Sequence, residues 1–229
     1  MIRRRQLHQE TLEGIDAVKD AVRAYLASVT YADAMLGRVL EALEENGLME
    51  NTIVIMWSDQ GFHHGEKGQW GKHTLWRQTS RVPLIFSGGG LPANKKVAST
   101  TGLIDLYPTL VDLCNLPKTH EMDGISLIQA LEDPQSTSDR DLFIPSHERG
   151  SYAIVNRNWR YIYYRDGTEE LYDVQNDPDE WYNLALSDTY RSVIDELRKA
   201  APSEFHPGAT PRNKLNLVIE GESFRWEPK

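Results

Sequence analysis

The chain has 229 residues, enough to bury a core as one large domain or two small ones, and its 40% hydrophobic and 26% charged residues are those of an ordinary globular protein. A formal net charge of -9 argues against a duplex nucleic-acid partner, which demands a basic surface. No window approaches the roughly 18 apolar residues that a membrane span needs.

Residues 1–14 are polar, and Arg3-Arg4-Arg5 is not followed by the apolar core of a secretory signal. The cluster reads as a solvated segment leading into a helix. Apolar residues at Ile15, Val18, Val22, Tyr25, Leu26, Val29, Leu36, Val39, Leu40 and Leu43 step by three and four. This predicts a long amphipathic helix, with Gly47 as its stop signal. Thr52 to Trp57 is a continuous apolar run rich in β-branched residues, which predicts a strand covered on both faces, as in a parallel sheet. Val82 to Phe86 is a second short strand, with Pro83 near its start, and Gly88-Gly89-Gly90 turns the chain.

Ile104, Leu106, Tyr107, Leu110, Val111 and Leu113 predict a helix that ends near Pro117, and Leu127 to Leu131 predicts a short one. The polar stretch Pro134 to Arg140 suggests a boundary, dividing the chain into residues 1–135 and 136–229. Beyond it, Tyr152 to Val155, Trp159 to Tyr164 and Glu170 to Asp173 are aromatic and β-branched, with hairpin-type turns between them. They predict a small antiparallel sheet, followed by a helix over 190–200 and a Pro- and Gly-containing tail with an apolar run at Leu215 to Ile219.

The chemistry-bearing residues gather between the two strands of the first part, where open α/β sheets place their sites. Asp59 and Gln60 directly follow the strand, and adjacent carboxylate and amide oxygens suit Ca²⁺ or Mg²⁺. Two ligands do not complete such a site, and a plain polar turn is the other reading. Lys72 stands at the far end of the loop, either as a surface lysine or as a point charge folded back onto an anionic ester oxygen. His63, His64 and His73 are general-acid or ligand candidates, with exposed or structural roles as the alternative. Glu66 and Lys67 are expected to pair locally or cap the next turn, and Trp57, Trp70 and Trp76 to pack around the loop.

Ser58-Asp59-Gln60-Gly61, Gly65-Glu66-Lys67, Lys72, Arg81-Val82-Pro83-Leu84-Ile85 and Asp105-Leu106-Tyr107-Pro108-Thr109-Leu110 resemble, in order and spacing, the second half of the sulfatases. Met122-Asp123-Gly124-Ile125-Ser126-Leu127, Trp159-Arg160-Tyr161, Glu170-Leu171-Tyr172-Asp173, Asp177-Pro178-Asp179-Glu180 and Asn183-Leu184-Ala185 extend the resemblance over roughly residues 25–190. It is greatest toward iduronate-2-sulfatase-like and choline-sulfatase-like members. The resemblance implies the C-terminal part of an alkaline-phosphatase-like α/β fold: a partial, mostly parallel sheet with helices, plus a small antiparallel subdomain. It further implies bound Ca²⁺ and hydrolysis of sulfate esters, either small molecules or sulfated glycans. By position, Asp59 and Gln60 become two metal ligands, Lys72 the sulfate contact, and His73 a residue behind them. Gln60 stands where Asn or His is commoner.

The family also implies a formylglycine nucleophile made from a Cys/Ser-x-Pro-Ser-Arg motif. Cys114-Asn115-Leu116-Pro117-Lys118 does not match it, and Cys114 reads as a buried structural thiol. The expectation is therefore the C-terminal portion of a sulfatase, whether a truncated gene product, one part of a split protein or a fragmentary gene model, that is inactive alone, binds Ca²⁺ weakly and is complemented by an N-terminal half. The alternative is a non-catalytic module or relic that associates through an exposed sheet edge, and phosphate ester transfer ranks last. Members of the family are usually periplasmic or secreted, which leaves the compartment open.

Overall fold

The computed structural model describes residues 15–134, 139–205, 215–220 and 223–228. The Arg3–Arg5 cluster, the 135/136 division and much of the tail before residue 215 lie outside the described residues. Helix α1 (Ile15–Glu45) leads by a short 3-10 turn into β1 (Ile53–Trp57). The loop carries two short strands, β2 (His63–His64) and β3 (Trp70–Gly71), and ends in a single helical turn, α2 (Arg77–Ser80), before β4 (Leu84–Gly88). Helices α3 (Leu106–Leu113) and α4 (Ile128–Glu132) follow. A four-stranded sheet then forms from β5 (Leu142–Pro145), β6 (Tyr152–Val155), β7 (Trp159–Tyr163) and β8 (Glu169–Asp173), in the order β5-β6-β7-β8. Helix α5 (Arg191–Arg198) and a hairpin of β9 (Leu215–Glu220) and β10 (Ser223–Pro228) are the last of the described elements.

Helix α1 ends as its sequence dictates, with Gly47 at φ 67°, a left-handed stop that suits a residue without Cβ. Its apolar stripe is only partly covered: Tyr25 meets the His64 ring at 4.1 Å, while Leu26, Val29 and Val39 are exposed.

The parallel pairing expected at β1 is not what forms. β1 pairs with β4 antiparallel, with Ile53 opposite Gly88 and Trp57 opposite Leu84, and every described ladder is antiparallel. Nor is β1 covered on both faces: none of its residues is fully buried, and Trp57 is 52% exposed. A continuous apolar run reports that both faces seek cover, not which way the neighbouring strand runs. Strand β5 carries no signal of its own in the sequence. No strand is expected there from the sequence, and pairing with β6 makes it one.

Alternation assigns the two faces of the four-stranded sheet. Ile154, Tyr161 and Leu171 sit on one face with Ile194 and Leu197 of α5. Ala153, Ile162 and Tyr172 sit on the other with Leu75, beside Trp76. One face is therefore roofed by a helix and the other by the loop of the first part. Fully burying such side chains contributes about 1.5–3 kcal/mol each.

The Asp-Leu-Tyr-Pro-Thr segment is architectural. Asp105 is fully buried and accepts hydrogen bonds from the backbone N–H of Gly102 (2.8 Å) and Ile125 (2.9 Å), while the Arg140 guanidinium pairs with it. Thr109 Oγ1 donates to the Asp105 carbonyl (2.6 Å) and accepts from Leu127 N–H (2.9 Å). Cys114 corrects the buried-thiol expectation. It is exposed just past the last turn of α3, beside Asn115 at a left-handed φ of 49°.

Candidate functional site

The loop from Asp59 to Ser80 is built from its ends inward. Ser58 Oγ donates to the Gln60 carbonyl at 2.8 Å, and Gly61 N–H donates to the Thr79 carbonyl of α2 at 3.0 Å. Gly61 is required by this close approach, because a Cβ there would lie 1.9 Å from the Gln78 carbonyl oxygen. Asp59 and Gln60 are thus held at the end of β1 with exposed side chains.

Deeper in the loop, His63 is fully buried and its Nε2 meets Thr74 Oγ1 at 2.8 Å. Thr74 in turn meets Thr79 Oγ1 at 2.9 Å. Burial holds the His63 pKa below the usual histidine value, and the nearby Glu66 only partly offsets it. The 3.8 Å approach to Glu66 is therefore not a strong ion pair, and His63 serves as a neutral structural group. His64 is boxed by the rings of Tyr25, Phe62 and Trp70. Glu66 caps locally, as its position predicts, by accepting the His64 N–H at 2.6 Å.

Lys67 does not pair locally as expected. Its ammonium crosses to the four-stranded sheet, lying 4.7 Å from the ring centre of Trp76, 4.6 Å from Tyr172 and 5.8 Å from Trp181, and it donates to the Glu180 carbonyl. Desolvation pushes its pKa down, against the opposing pull of Glu180, Glu170 and Asp177. Glu180 is fully buried. Its carboxylate accepts the Arg77 N–H at 2.9 Å and pairs with Arg160 Nε at 2.5 Å. Arg160 also donates to the Leu75 carbonyl (3.0 Å) and to Ser80 Oγ (2.9 Å). The loop is thereby locked to the sheet at Lys67 and at both ends of α2.

Asp59, Gln60 and His73 line one cleft of about 1270 Å³, whose other wall comes from β5, β6 and the turn after β6. Lys72 is exposed and is not among the lining residues, so the structure places it beside this group rather than within it. His73 takes a left-handed φ of 81° and faces His147 of the β5–β6 loop, ring centres 5.0 Å apart. The oxygen donors of Asp59 and Gln60 fit a hard divalent cation in kind, and their exposure leaves them accessible. They do not complete its shell: no group of three or more His, Cys, Asp or Glu gathers for a metal among the described residues.

Lys67, Arg160 and Glu180, the residues that hold the site, are not singled out by sequence reasoning for that role. One signal is present: a charged residue at Arg160 in the middle of an aromatic strand calls for a buried partner.

Comparison with known proteins converges on one family. The family model "Sulfatase" matches residues 4–116, and "N-sulphoglucosamine sulphohydrolase, C-terminal" matches residues 65–204. A sulfatase of Formosa agariphila is 38% identical over 211 residues, covering 92% of this chain and 39% of that protein. Arylsulfatase K of Bos taurus is 33% identical over 207 residues, covering 80% and 38%. The solved structure of a 2-O GAG sulfatase superposes with a TM-score of 0.74 at 26% identity, covering 85% of this chain and 45% of that one. The chain thus spans about two fifths of the length of the curated relatives it matches. Continuous matches across both parts, joined to the same loop-and-sheet architecture, establish that the chain belongs to the sulfatase family and corresponds to the C-terminal part of its alkaline-phosphatase-like fold.

Proposed function

We propose that this chain supplies one side of a sulfuric ester hydrolase site. Asp59 and Gln60 provide two oxygen ligands for Ca²⁺, and Lys72 offers its ammonium to the sulfate of the substrate. The observation that carries this reading is the pair of exposed donors at the end of β1, held by the Gly61–Thr79 contact at the mouth of a large cleft. When bound, the cation supplies positive charge for an anionic ester and its developing charge. The chain's own residues do the rest. The Gly61 contact fixes the ligand loop, His63 and Thr74 brace its return, and the Lys67–Glu180–Arg160 lock holds it on the sheet. His73 stands beside Lys72 and supports the sulfate end of the cleft.

These 229 residues contain no Cys/Ser-x-Pro-Ser-Arg, so this reading takes the nucleophile from a partner segment and expects no turnover of sulfate esters by the chain alone. The open faces of β1 and β4 and the exposed stripe of α1 are consistent with a complementary segment packing there. The substrate is a sulfate ester, and the 2-O GAG sulfatase among the structural relatives favours a sulfated glycan.

The test is complementation. Co-expression with a segment carrying the nucleophile motif should give Ca²⁺-dependent hydrolysis of an aryl sulfate. Asp59→Asn and Lys72→Met should each lower it by about a hundredfold or more, the loss expected when one charge-stabilising group is removed. Full activity in both variants, or none with any such partner, overturns the reading.

A second reading rests on the same open ribbon. Trp57 (52% exposed) and Ile85 (51%) lie on opposite faces of the β1/β4 pair, so a non-catalytic chain would self-associate through them. A stable monomer in sedimentation equilibrium would exclude it.

A further inference from the structure

His63 has no exposed surface, and its hydrogen bonds have a fixed direction. Thr79 Oγ1 lies 2.9 Å from the Thr74 carbonyl and 3.2 Å from the Trp76 carbonyl. A carbonyl only accepts, so the Thr79 hydroxyl donates there. Thr79 Oγ1 then accepts from the Thr74 hydroxyl at 2.9 Å, and Thr74 Oγ1 accepts from His63 Nε2–H at 2.8 Å. The ring proton is therefore on Nε2, and the bare nitrogen is Nδ1. Nδ1 is buried without a hydrogen-bond partner among the described residues. Glu66 Oε2 stands 3.8 Å from it and already accepts the His64 N–H at 2.6 Å.

The hairpin of β2 and β3 that His63 opens is conformationally strained. Gly65 (φ 120°), Lys67 (52°), Gly68 (64°), Gly71 (107°) and His73 (81°) all take left-handed φ values, and two of them carry side chains. Such a segment stays closed only while its contacts over-determine it. Among those contacts are His63 with Thr74 across the base, Glu66 with the His64 N–H, and Lys67 in its aromatic cage. A second proton on His63 acts against the first two. The buried imidazolium either keeps an unpaired N–H at Nδ1 or draws Glu66 off the His64 amide. Both outcomes favour an opened hairpin, in which water solvates the charge.

We propose that His63 is an acid-sensitive latch on residues 63–73: a second proton at Nδ1 releases this hairpin from the return segment at Thr74. The groups that face the ring set where the proton is taken up. Burial is the largest influence and holds the His63 pKa below 6.5; Glu66 pulls it up, while Lys67 and His64 push it down. Thr74 and the Trp76 ring, edge-on at 5.8 Å, face it from the return segment and bring no charge. The open form thus binds the proton more readily than the closed one. The closed form is whole above about pH 6.5 and loses ground as pH falls below it. The Gly61–Thr79 contact lies outside the latch, so Asp59 and Gln60 keep their anchor while Lys72 and His73 are released. That consequence for the site rests on the hydrolase reading; the latch stands on the hairpin itself.

Proton NMR of the imidazole Cε1–H signals and amide exchange, both on the full 229-residue chain from about pH 8 to about pH 5, test this. The His63 signal, identified by its nuclear Overhauser contact with Thr74, should titrate below 6.5. Corrected for the intrinsic rate, protection of residues 63–73 should fall about tenfold per pH unit between 6.5 and that midpoint, the signature of one proton taken up on opening. Protection of β6 to β8 should hold. His63→Gln keeps a side-chain N–H for Thr74 and takes no proton, so its protection should not vary over this range. Glu66→Gln, at an exposed position, removes the carboxylate that favours protonation. It should move the midpoint and the loss of protection together to lower pH. Constant protection in the wild-type chain, an equal fall in His63→Gln, a His63 midpoint at or above 6.5, or a shifted Glu66→Gln midpoint with an unmoved protection profile would overturn the inference. Should His63→Gln fail to fold, the wild-type and Glu66→Gln profiles decide. None of these readouts needs turnover, so the latch is judged whether or not complementation restores hydrolysis.

Discussion

The ammonium of Lys67 lies 4.6 Å from the centre of the Tyr172 ring, although the two residues are 105 positions apart in the chain. This contact joins the loop from Asp59 to Ser80 to the four-stranded sheet. It also explains why Lys67 tolerates a left-handed φ of 52°, a conformation that side-chain-bearing residues rarely adopt without compensation. Lys67→Met should cost about 1–2 kcal/mol in urea denaturation, the range of a desolvated cation–π contact, and Lys67→Arg less. Amide exchange of residues 65–73 should accelerate in Lys67→Met and stay near wild type in Lys67→Arg. Unchanged exchange in the methionine variant would show that the cage does not hold the loop.

The buried Arg160–Glu180 pair, 2.5 Å apart, carries a different kind of energy. Desolvation pulls the Arg160 pKa down and Glu180 pulls it back, so each charge depends on the other. Removing one alone, as in Glu180→Gln or Arg160→Met, should cost about 3–5 kcal/mol because an unpaired charge or dipole stays buried. The double variant Arg160→Met/Glu180→Gln should cost clearly less than the sum of the two. Additive losses in a double-mutant cycle would deny the coupling.

Gly61 tests the proposed ligand loop directly. The Gln78 carbonyl oxygen lies 1.9 Å from where an alanine methyl carbon would stand, so Gly61→Ala must displace either the loop or α2. The expected loss is about 1–3 kcal/mol of stability, the usual cost of overpacking, together with weaker Ca²⁺ binding by calorimetry. Ca²⁺ binding that is the same in this variant and the wild type would separate the Gly61 contact from the proposed metal site.

Alkaline pH should unfold the protein from about pH 10 upward. Burial, joined by Glu169 at Tyr161 and by Glu170 at Tyr164 and Tyr172, pushes these three phenols far above the ordinary tyrosine value of 10.0. A raised folded pKa contributes stability that is whole below the unfolded value and is lost as pH rises beyond it. Lys67 has the opposite sign, because its folded pKa lies below 10.5 and its contribution grows with pH up to that value. Three phenols outweigh one amine. Thermal melts from pH 8 to 11 should show a falling midpoint, and Tyr172→Phe should flatten the fall; a flat profile in the wild type would contradict this linkage.

Much of this protein is legible in its sequence. The three- and four-residue steps of α1, the Gly47 stop, the aromatic alternation of β6 to β8 and the adjacent oxygen donors Asp59-Gln60 all rest on local periodicity or adjacency, which the chain carries in its order. Three features are not. The direction of the β1/β4 pairing, the exposure of Cys114 and the reach of Lys67 each depend on what lies across from a residue, not beside it. Local order therefore determined the family, the main elements and the candidate ligands. Tertiary structure alone decided which charges are buried in pairs, as at Arg160 and Glu180, and which are left facing the cleft, as at Arg81 and Arg157. The physical reason is that desolvation and Coulomb pairing act through space, over contacts between residues far apart in sequence.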